Sequence, residues 1–352
     1  MPKLVIASIG PASSVQDGGR PGSQRYGLTP SGAMDRLALA AANVLLGNAP
    51  FAAAIEIGPF GAAFTARGGP VRLALSGAQR GVDIAKRPVA FDSSMTLADG
   101  ETLTLGFARN GSFSYLALEG GIAGEPTFGS LAVNARAGLG SPYPRPLQAG
   151  DELQAATASG APGRRIELPA IPDAPIRVVL GPQDDEFSEE AKALFLGSDW
   201  KISATSDRMG YRLEGPIIKH LHGHNIVSDG MVNGSIQVPG NGQPIVLMPD
   251  RPTTGGYPKI ATVITADFGR FAQISAGHAF RFKAISIAEA QGAAQALSEL
   301  LRTLPDRLRG IENFDLNIEA LRDANVAGSA VSAVDAGTWQ NSLPQTRSEQ
   351  TR

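Results

Sequence analysis

The chain has no cysteine among its 352 residues, which excludes disulfides, zinc–thiolate centres and thiol nucleophiles. Histidine is nearly missing as well, with four copies. Chemistry would therefore fall to Asp, Lys, Arg, Tyr and backbone groups. No apolar run approaches the roughly 18 residues that a transmembrane helix needs. The opening MPKLVIASIG holds one lysine and too short an apolar stretch for a signal peptide. No membrane role is expected, and a soluble cytoplasmic protein is. Basic excess is also absent. The formal net charge is -2, and no basic stripe interleaved with aromatics marks a nucleic-acid footprint. The sequence carries no Walker A motif, no dinucleotide fingerprint and no nucleophile elbow with a Ser-His-Asp order.

What is abundant is punctuation. There are 42 glycines and 25 prolines in a chain that is 43% hydrophobic. That composition fits a globular protein of many short strands joined by tight turns. Strand-like runs fall at 4–6, 54–57, 71–75, 102–105 and 115–118, with Asp99-Gly100 and Asn110-Gly111 as hairpin signals. A single helix interrupts them. Ser31 is its expected N-cap, Asp35 lies in its first turn, and Leu37, Ala40, Ala41, Val44 and Leu45 form one buried face. Gly47 is placed to end it, and Asn43 reads as an interior amide bonded to backbone.

The organisation expected is mainly β with a few helices. Residues 1–155 make an N-terminal β-rich half with one helix, 156–175 a Pro-rich linker, and 176–285 a second β-rich half. The second half opens on 176–180 and Gly181-Pro182-Gln183-Asp184, has a short helix at 188–196, and gains a last strand region at 273–282. Ser286 and Glu289 start a C-terminal helix reaching about Leu301 through a capping box. The rest of 286–352 turns polar, and its last thirty or so residues read as weakly ordered.

One stretch concentrates polar chemistry. The aliphatic runs 246–248 and 260–264 read as the arms of a hairpin around Asp250-Arg251-Pro252-Thr253-Thr254-Gly255-Gly256-Tyr257-Pro258-Lys259. Prolines bracket this loop and two glycines sit in it, so it is a rigid turn rich in donors. Asp250, Tyr257 and Lys259 are the catalytic candidates, with Thr253, Thr254, Gln237 and Arg208 as substrate-binding candidates lining a cleft between the halves. The bland alternative is a β-turn whose threonines cap their own backbone. The loop after the first strand adds Gln16, Asp17 and Arg20, either facing a ligand or forming an Asp–Arg pair that stitches the loop. Arg208 and Arg212 flank Gly210-Tyr211 and could clamp an anion or pair with Asp207 and Glu214. Glu56, between two isoleucines, would point away from both on a strand. His220, His222 and His224 would share one face of a strand, as metal ligands do. However, Gly223 suggests a loop and no carboxylate orients them, so no metal site is assigned.

Several segments resemble one family. They are Gln16-Asp17-Gly18-Gly19-Arg20-Pro21-Gly22, Ser31-Gly32-Ala33-Met34-Asp35, Ala42-Asn43-Val44-Leu45-Leu46-Gly47-Asn48, Ser76-Gly77-Ala78, residues 206–213, Gly234-Ser235-Ile236-Gln237-Val238-Pro239 and residues 250–260. In order, over residues 3–285, they look like the allophanate hydrolase subunit 2 family, also called biotin-dependent carboxyltransferases. The family includes the C-type subunit of 5-oxoprolinase, the carboxyltransferase part of urea carboxylase and a KipA-type antagonist of a kinase inhibitor.

The resemblance implies two cyclophilin-like β-barrel halves. It implies a hydrolase or carboxyltransferase subunit, inactive alone, acting on a small amide such as 5-oxoproline or urea. It also implies a subunit 1/B-type partner, an A-type partner, and ATP used by one of these partners. No Met-Lys-Met-type attachment sequence is present, so biotin would be delivered in trans and not bound covalently. A KipA-like regulatory binding protein is the non-enzymatic alternative. The chain departs from the family at 129–147. There Gly129-Ser130-Leu131-Ala132 replaces the usual Gly-Ser-Arg-Ser-Thr, so a ligand contact made by that arginine is not carried over.

Overall fold

Strand alternation sorts the first half into two faces. In the strand Ser114–Leu118, Leu116 and Leu118 enter one apolar cluster while Tyr115 and Ala117 enter another. Val71–Gly77 divides likewise, with Leu73 and Leu75 on one side and Ala74 on the other. Successive side chains of a strand point to opposite faces, so both faces of this sheet are covered. One face closes on the first half's own core, which includes Leu4, Ile6, Phe64 and Leu103. The other face meets helix α1 (Arg36–Leu45), which is buried from Ala38 to Leu45. A helix apolar all round is an interior helix. α1 shares its cluster with Trp200, Ile236, Val246 and Phe271 of the second half.

The computed structural model describes residues 1–311, which form one unit. Three main sheets make it mostly β, including a nearly closed barrel sheet. A six-stranded sheet runs Glu152–Gln154, Lys3–Ile9, Ala62–Arg67, Thr102–Leu105, Val82–Ile84, Arg87–Pro88. A seven-stranded sheet runs Ser14–Gln16, Ala54–Ile57, Ser114–Leu118, Val71–Gly77, Ser93–Leu97, Arg164–Ile166, Leu308–Gly310. The second half holds an eight-stranded sheet in the order Ala279–Phe280, Trp200–Ile202, Gly210–Glu214, Ile245–Leu247, Ser235–Gln237, Lys259–Val263, Ile176–Leu180, Phe282–Ala284. A small ribbon pairs Asp229–Gly230 with Thr254–Gly255.

Four expectations change. The runs on either side of loop 250–259 are strands but not a hairpin, because Ser235–Gln237 lies between them and pairs with both. The N-cap of α1 is Asp35, not Ser31: its Oδ1 accepts from Leu37 and Ala38 N–H at 3.1 Å each, while Ser31 takes a left-handed φ of 53°. The stretch expected as a linker contains Arg164–Ile166, which bonds into the first half's sheet. Residues Thr265–Ala272, for which no helix is expected from the sequence, form one.

Helix α2 (Glu189–Gly197) is capped by Ser188, whose Oγ accepts from Ala191 N–H. Helix α3 (Thr265–Ala272) runs so close to the start of α1 that a Cβ on Gly269 would lie 2.9 Å from Asp35 Oδ1. Helix α4 (Ile287–Arg302) has the expected capping box of Ser286 and Glu289. After it, Leu308–Gly310 returns to the first half's sheet beside Arg164–Ile166. The expectation for the last thirty residues lies outside the described residues. Among the described residues no helix is long and apolar enough to cross a membrane.

Candidate functional site at the junction of the halves

Glu56 projects from Ala54–Ile57 away from Ile55 and Ile57, as alternation requires, and is fully buried. Its carboxylate accepts from Met34 N–H at 2.8 Å, from the Tyr115 hydroxyl at 2.7 Å, and from Arg208 Nη1. Arg208 arrives from the second half. Its Nε donates to Asp250 Oδ2 at 2.9 Å and its Nη2 to Gly32 O at 2.7 Å. Burial works against the Arg208 charge, but the carboxylates of Glu56 and Asp250 hold the guanidinium well above its ordinary range.

The Tyr115 hydroxyl also accepts from Asp35 N–H at 2.7 Å. Burial, with Glu56 and Asp35 nearby, pushes that phenol far up. Gln273, just after α3, completes the join. Its Oε1 accepts from Ser112 and Phe113 N–H at 2.9 Å each, and its Nε2 donates to Asp35 Oδ2 at 2.9 Å and Phe113 O at 3.0 Å. Burial raises the pKa of Asp35, with Gln273 and the α1 backbone opposing.

The loop 250–259 sits on this junction. Pro249 O accepts from Thr29 Oγ1 at 2.7 Å and Ser31 N–H at 3.1 Å, both from the first half. Arg251, 3% exposed, donates to Met231 O, to Asn233 Oδ1 at 2.5 Å and to Gln24 Oε1 at 3.0 Å. Burial lowers its pKa to about 10. Thr253 O accepts from Met231 N–H at 3.0 Å, and Thr254–Gly255 forms one side of the small ribbon. A Cβ on Gly255 would fall 1.9 Å from Met231 Cε, so a larger residue there would displace the end of the Met231 side chain. Tyr257 is 37% exposed. Lys259 is 1% exposed, with Nζ 3.1 Å from Asp229 Oδ2. Gln237 is its cross-strand partner, so the two share a face.

The first-half candidates serve a different segment. Asp17 Oδ1 accepts from Ser130 Oγ at 2.6 Å and Gly19 N–H at 2.7 Å, and its Oδ2 accepts from Leu131 N–H at 2.7 Å. Arg20 Nη2 donates to Ala132 O at 2.5 Å, and Gln16 Nε2 to Val133 O at 2.9 Å. Asp17 and Arg20 therefore stitch loop 127–133 and do not pair with each other. Two atoms are left over. Gln16 Oε1 and Arg20 Nη1 are buried without a hydrogen-bond partner among the described residues. Burial lowers the Arg20 pKa, with Asp17 and then Asp250 opposing.

Seven of the ten candidates thus fall into three groups: Asp250 with Arg208, Lys259 with Gln237 and Asp229, and Gln16, Asp17 and Arg20 on loop 127–133. Arg208 is committed to two carboxylates and is not free to hold a substrate's charge, which corrects its expected role. Arg212 is an exposed residue of Gly210–Glu214 and forms no clamp with Arg208. The histidines lie in coil. His220 Nε2 is 2.8 Å from Val238 O, and His222 Nδ1 is 3.5 Å from Glu186. Sequence reasoning missed Tyr115, Asp35 and Gln273 at the junction, and Asp229 and Gln183 beside Lys259. Only Glu56, a lone acid between isoleucines, announced itself.

Residues 26–284 match the family described as "Carboxyltransferase domain, subdomain A and B". The chain belongs to this carboxyltransferase family. It is 37% identical over 311 residues to the C-type subunit of 5-oxoprolinase from Escherichia coli (strain K12), covering 87% of this chain and 98% of that protein. It is 36% identical to the Haemophilus influenzae protein of the same name, covering 81% and 92%. Among solved structures it resembles the Kluyveromyces lactis urea carboxylase, with a TM-score of 0.78 and 27% identity over 86% of this chain and 29% of that one.

Proposed function

We propose that this chain is the C-type subunit of an ATP-dependent 5-oxoprolinase and acts with B-type and A-type partners to open the lactam of 5-oxoproline. The observation that supports this most is the 37% identity to the Escherichia coli C-type subunit, spanning 98% of that protein. In this reading the lactam C–N bond breaks, water supplies a hydroxyl to the carbonyl carbon and a proton to nitrogen, and a partner uses the ATP.

The chain's own part is to bind and orient. Asp250, fixed by Arg208, accepts the amide N–H. Tyr257 and the hydroxyls of Thr253 and Thr254 supply donors near the reacting carbonyl, and Lys259 with Gln237 attracts negative charge. Gln16 and Arg20, bonded to Val133 O and Ala132 O, keep an unused acceptor and an unused donor that a ligand could meet.

A second reading is urea carboxylase-type carboxyl transfer, favoured by the 0.78 TM-score to the Kluyveromyces lactis enzyme. Biotin would then arrive on another chain and supply the carried carboxyl group. Its ureido group fits the donor set, with Asp250 for an N–H and the unpartnered Arg20 Nη1 for the carbonyl. A KipA-like regulatory binding protein is the non-catalytic form of the same fold.

Co-purification with candidate partners, followed by assays of 5-oxoproline-dependent and urea-dependent ATP hydrolysis, separates these readings. The reconstituted complex should hydrolyse ATP with 5-oxoproline, and the chain alone should not. Tyr257→Phe and Lys259→Met should each lower that activity about tenfold or more, roughly 1.4 kcal/mol of transition-state stabilisation. Turnover by the isolated chain, or a complex that responds to urea alone, would contradict the reading.

A further inference from the structure

Lys259 is a buried cation with an unusual counter-ion. Its side chain is 1% exposed, whereas Asp229, whose carboxylate lies 3.1 Å from Nζ, is 49% exposed. Burying an ammonium costs several kcal/mol unless its partner and hydrogen bonds are well made. Here the charge contact is close, yet Nζ forms no well-directed hydrogen bond among the described residues.

The two partners also differ in what holds them. Lys259 begins a strand of the eight-stranded sheet. Gln183 braces it on both sides: Lys259 N–H donates to Gln183 Oε1 at 3.2 Å, and Gln183 N–H donates to Lys259 O at 3.1 Å. Asp229 sits on a two-residue ribbon strand outside the main sheets, close after Val227, which is 91% exposed. Gln183 Nε2 donates to the same Asp229 Oδ2 at 3.3 Å. An ammonium and an amide fixed on the scaffold thus converge on one carboxylate oxygen, and that oxygen belongs to a thin, exposed segment.

We propose that Lys259 and Gln183 form a carboxylate-recognition site in which Asp229 is a displaceable stand-in for the carboxylate of the substrate. The inference rests on the 5-oxoprolinase reading and sharpens it. A site kept charged by a surrogate acid favours an anionic amide such as 5-oxoproline over a neutral one such as urea. Substrate binding would exchange one carboxylate for another, so the buried ammonium is never left unpaired. Asp229 is a positioning residue in this scheme and touches no reacting atom.

The test is acylation of Lys259 in the full chain by an acetyl N-hydroxysuccinimide ester, followed by peptide mass spectrometry. Lys259 should react slowly in the wild-type chain and about fivefold or more faster in Asp229→Asn. 5-Oxoproline should slow the reaction in both, and its neutral carboxamide should not. Gln183→Leu should weaken the protection that 5-oxoproline gives. Equal labelling of Asp229→Asn and wild type, or equal protection by the carboxamide, overturns the proposal. Protection by acetate but not by 5-oxoproline supports the carboxylate site and overturns the 5-oxoproline reading instead.

Discussion

Two kinds of buried polar group occur among the described residues, and they differ in how fully their bonding capacity is used. Around Glu56, Arg208, Asp250, Tyr115, Asp35 and Gln273, carboxylates, guanidinium, phenol and amide are bonded to one another or to backbone. Around Gln16, Arg20 and Lys259, an acceptor and two donors are buried without a formed hydrogen bond among the described residues. The first pattern is that of scaffold, since a satisfied network fixes one arrangement of the two halves, with Asp250 alone keeping further accepting sites beyond its bonds from Arg208. The second is where a ligand has something to add. Arg208 and Lys259 look alike in sequence, each a base near an acid in a polar loop. Only their surroundings give the first to the fold and leave the second for recognition.

Replacing each cation by methionine is the direct way to break that contrast. Arg208→Met strands the Glu56 and Asp250 carboxylates and should cost about 3–5 kcal/mol, read as a lower urea-denaturation midpoint. Adding Glu56→Gln should recover part of the loss. If the Arg208→Met midpoint stayed near wild type, the junction would not be scaffold.

Gln273→Ala should come next, at about 2–3 kcal/mol, because it leaves the Ser112 and Phe113 N–H groups buried without acceptors. Gln273→Glu keeps the acceptor but turns a carboxylate oxygen toward Asp35 Oδ2, so its melting temperature at pH 7 should also lie below that of wild type.

The saturated pattern recurs at Asp267 and gives a pH signature. Burial opposes its charge, but bonds from Arg177 and Arg270 hold its pKa below the usual 3.8. A depressed carboxylate pKa contributes stability that is present above the unfolded value and lost as pH falls below it. Asp267→Asn should therefore cost about 2 kcal/mol at pH 7. The difference from wild type should shrink as unfolding is measured at pH values falling below 3.8. A penalty independent of pH would point to shape and not charge.

Lys259→Met should give the smallest stability change, within about 1 kcal/mol, since half-exposed Asp229 returns to water. It should still cost the complex its activity. Large destabilisation with full specific activity would move Lys259 into the scaffold group and remove the contrast.

Local chemistry was enough to place much of the secondary structure. Ser188 and the Ser286–Glu289 box mark helix starts, Gly47 follows the end of α1, and Asn43 bonds backbone at Leu39 and Ala52. These features depend on groups within a few residues of one another. The family motifs were legible for the same reason, as contiguous words in the chain. Only the tertiary structure decided which strands pair and which charges are spent. Ser235–Gln237 separates two runs that read as a hairpin, because hydrogen bonding along a sheet edge is open to any strand the fold brings there. Helix α3 carries a glycine where it meets Asp35, far earlier in the chain, and local pattern had no access to that contact. Arg208 likewise finds Glu56 across 152 residues. The charge and shape of such a side chain are written in the sequence, but its partner is chosen by packing, and the partner determines what the side chain has left to give.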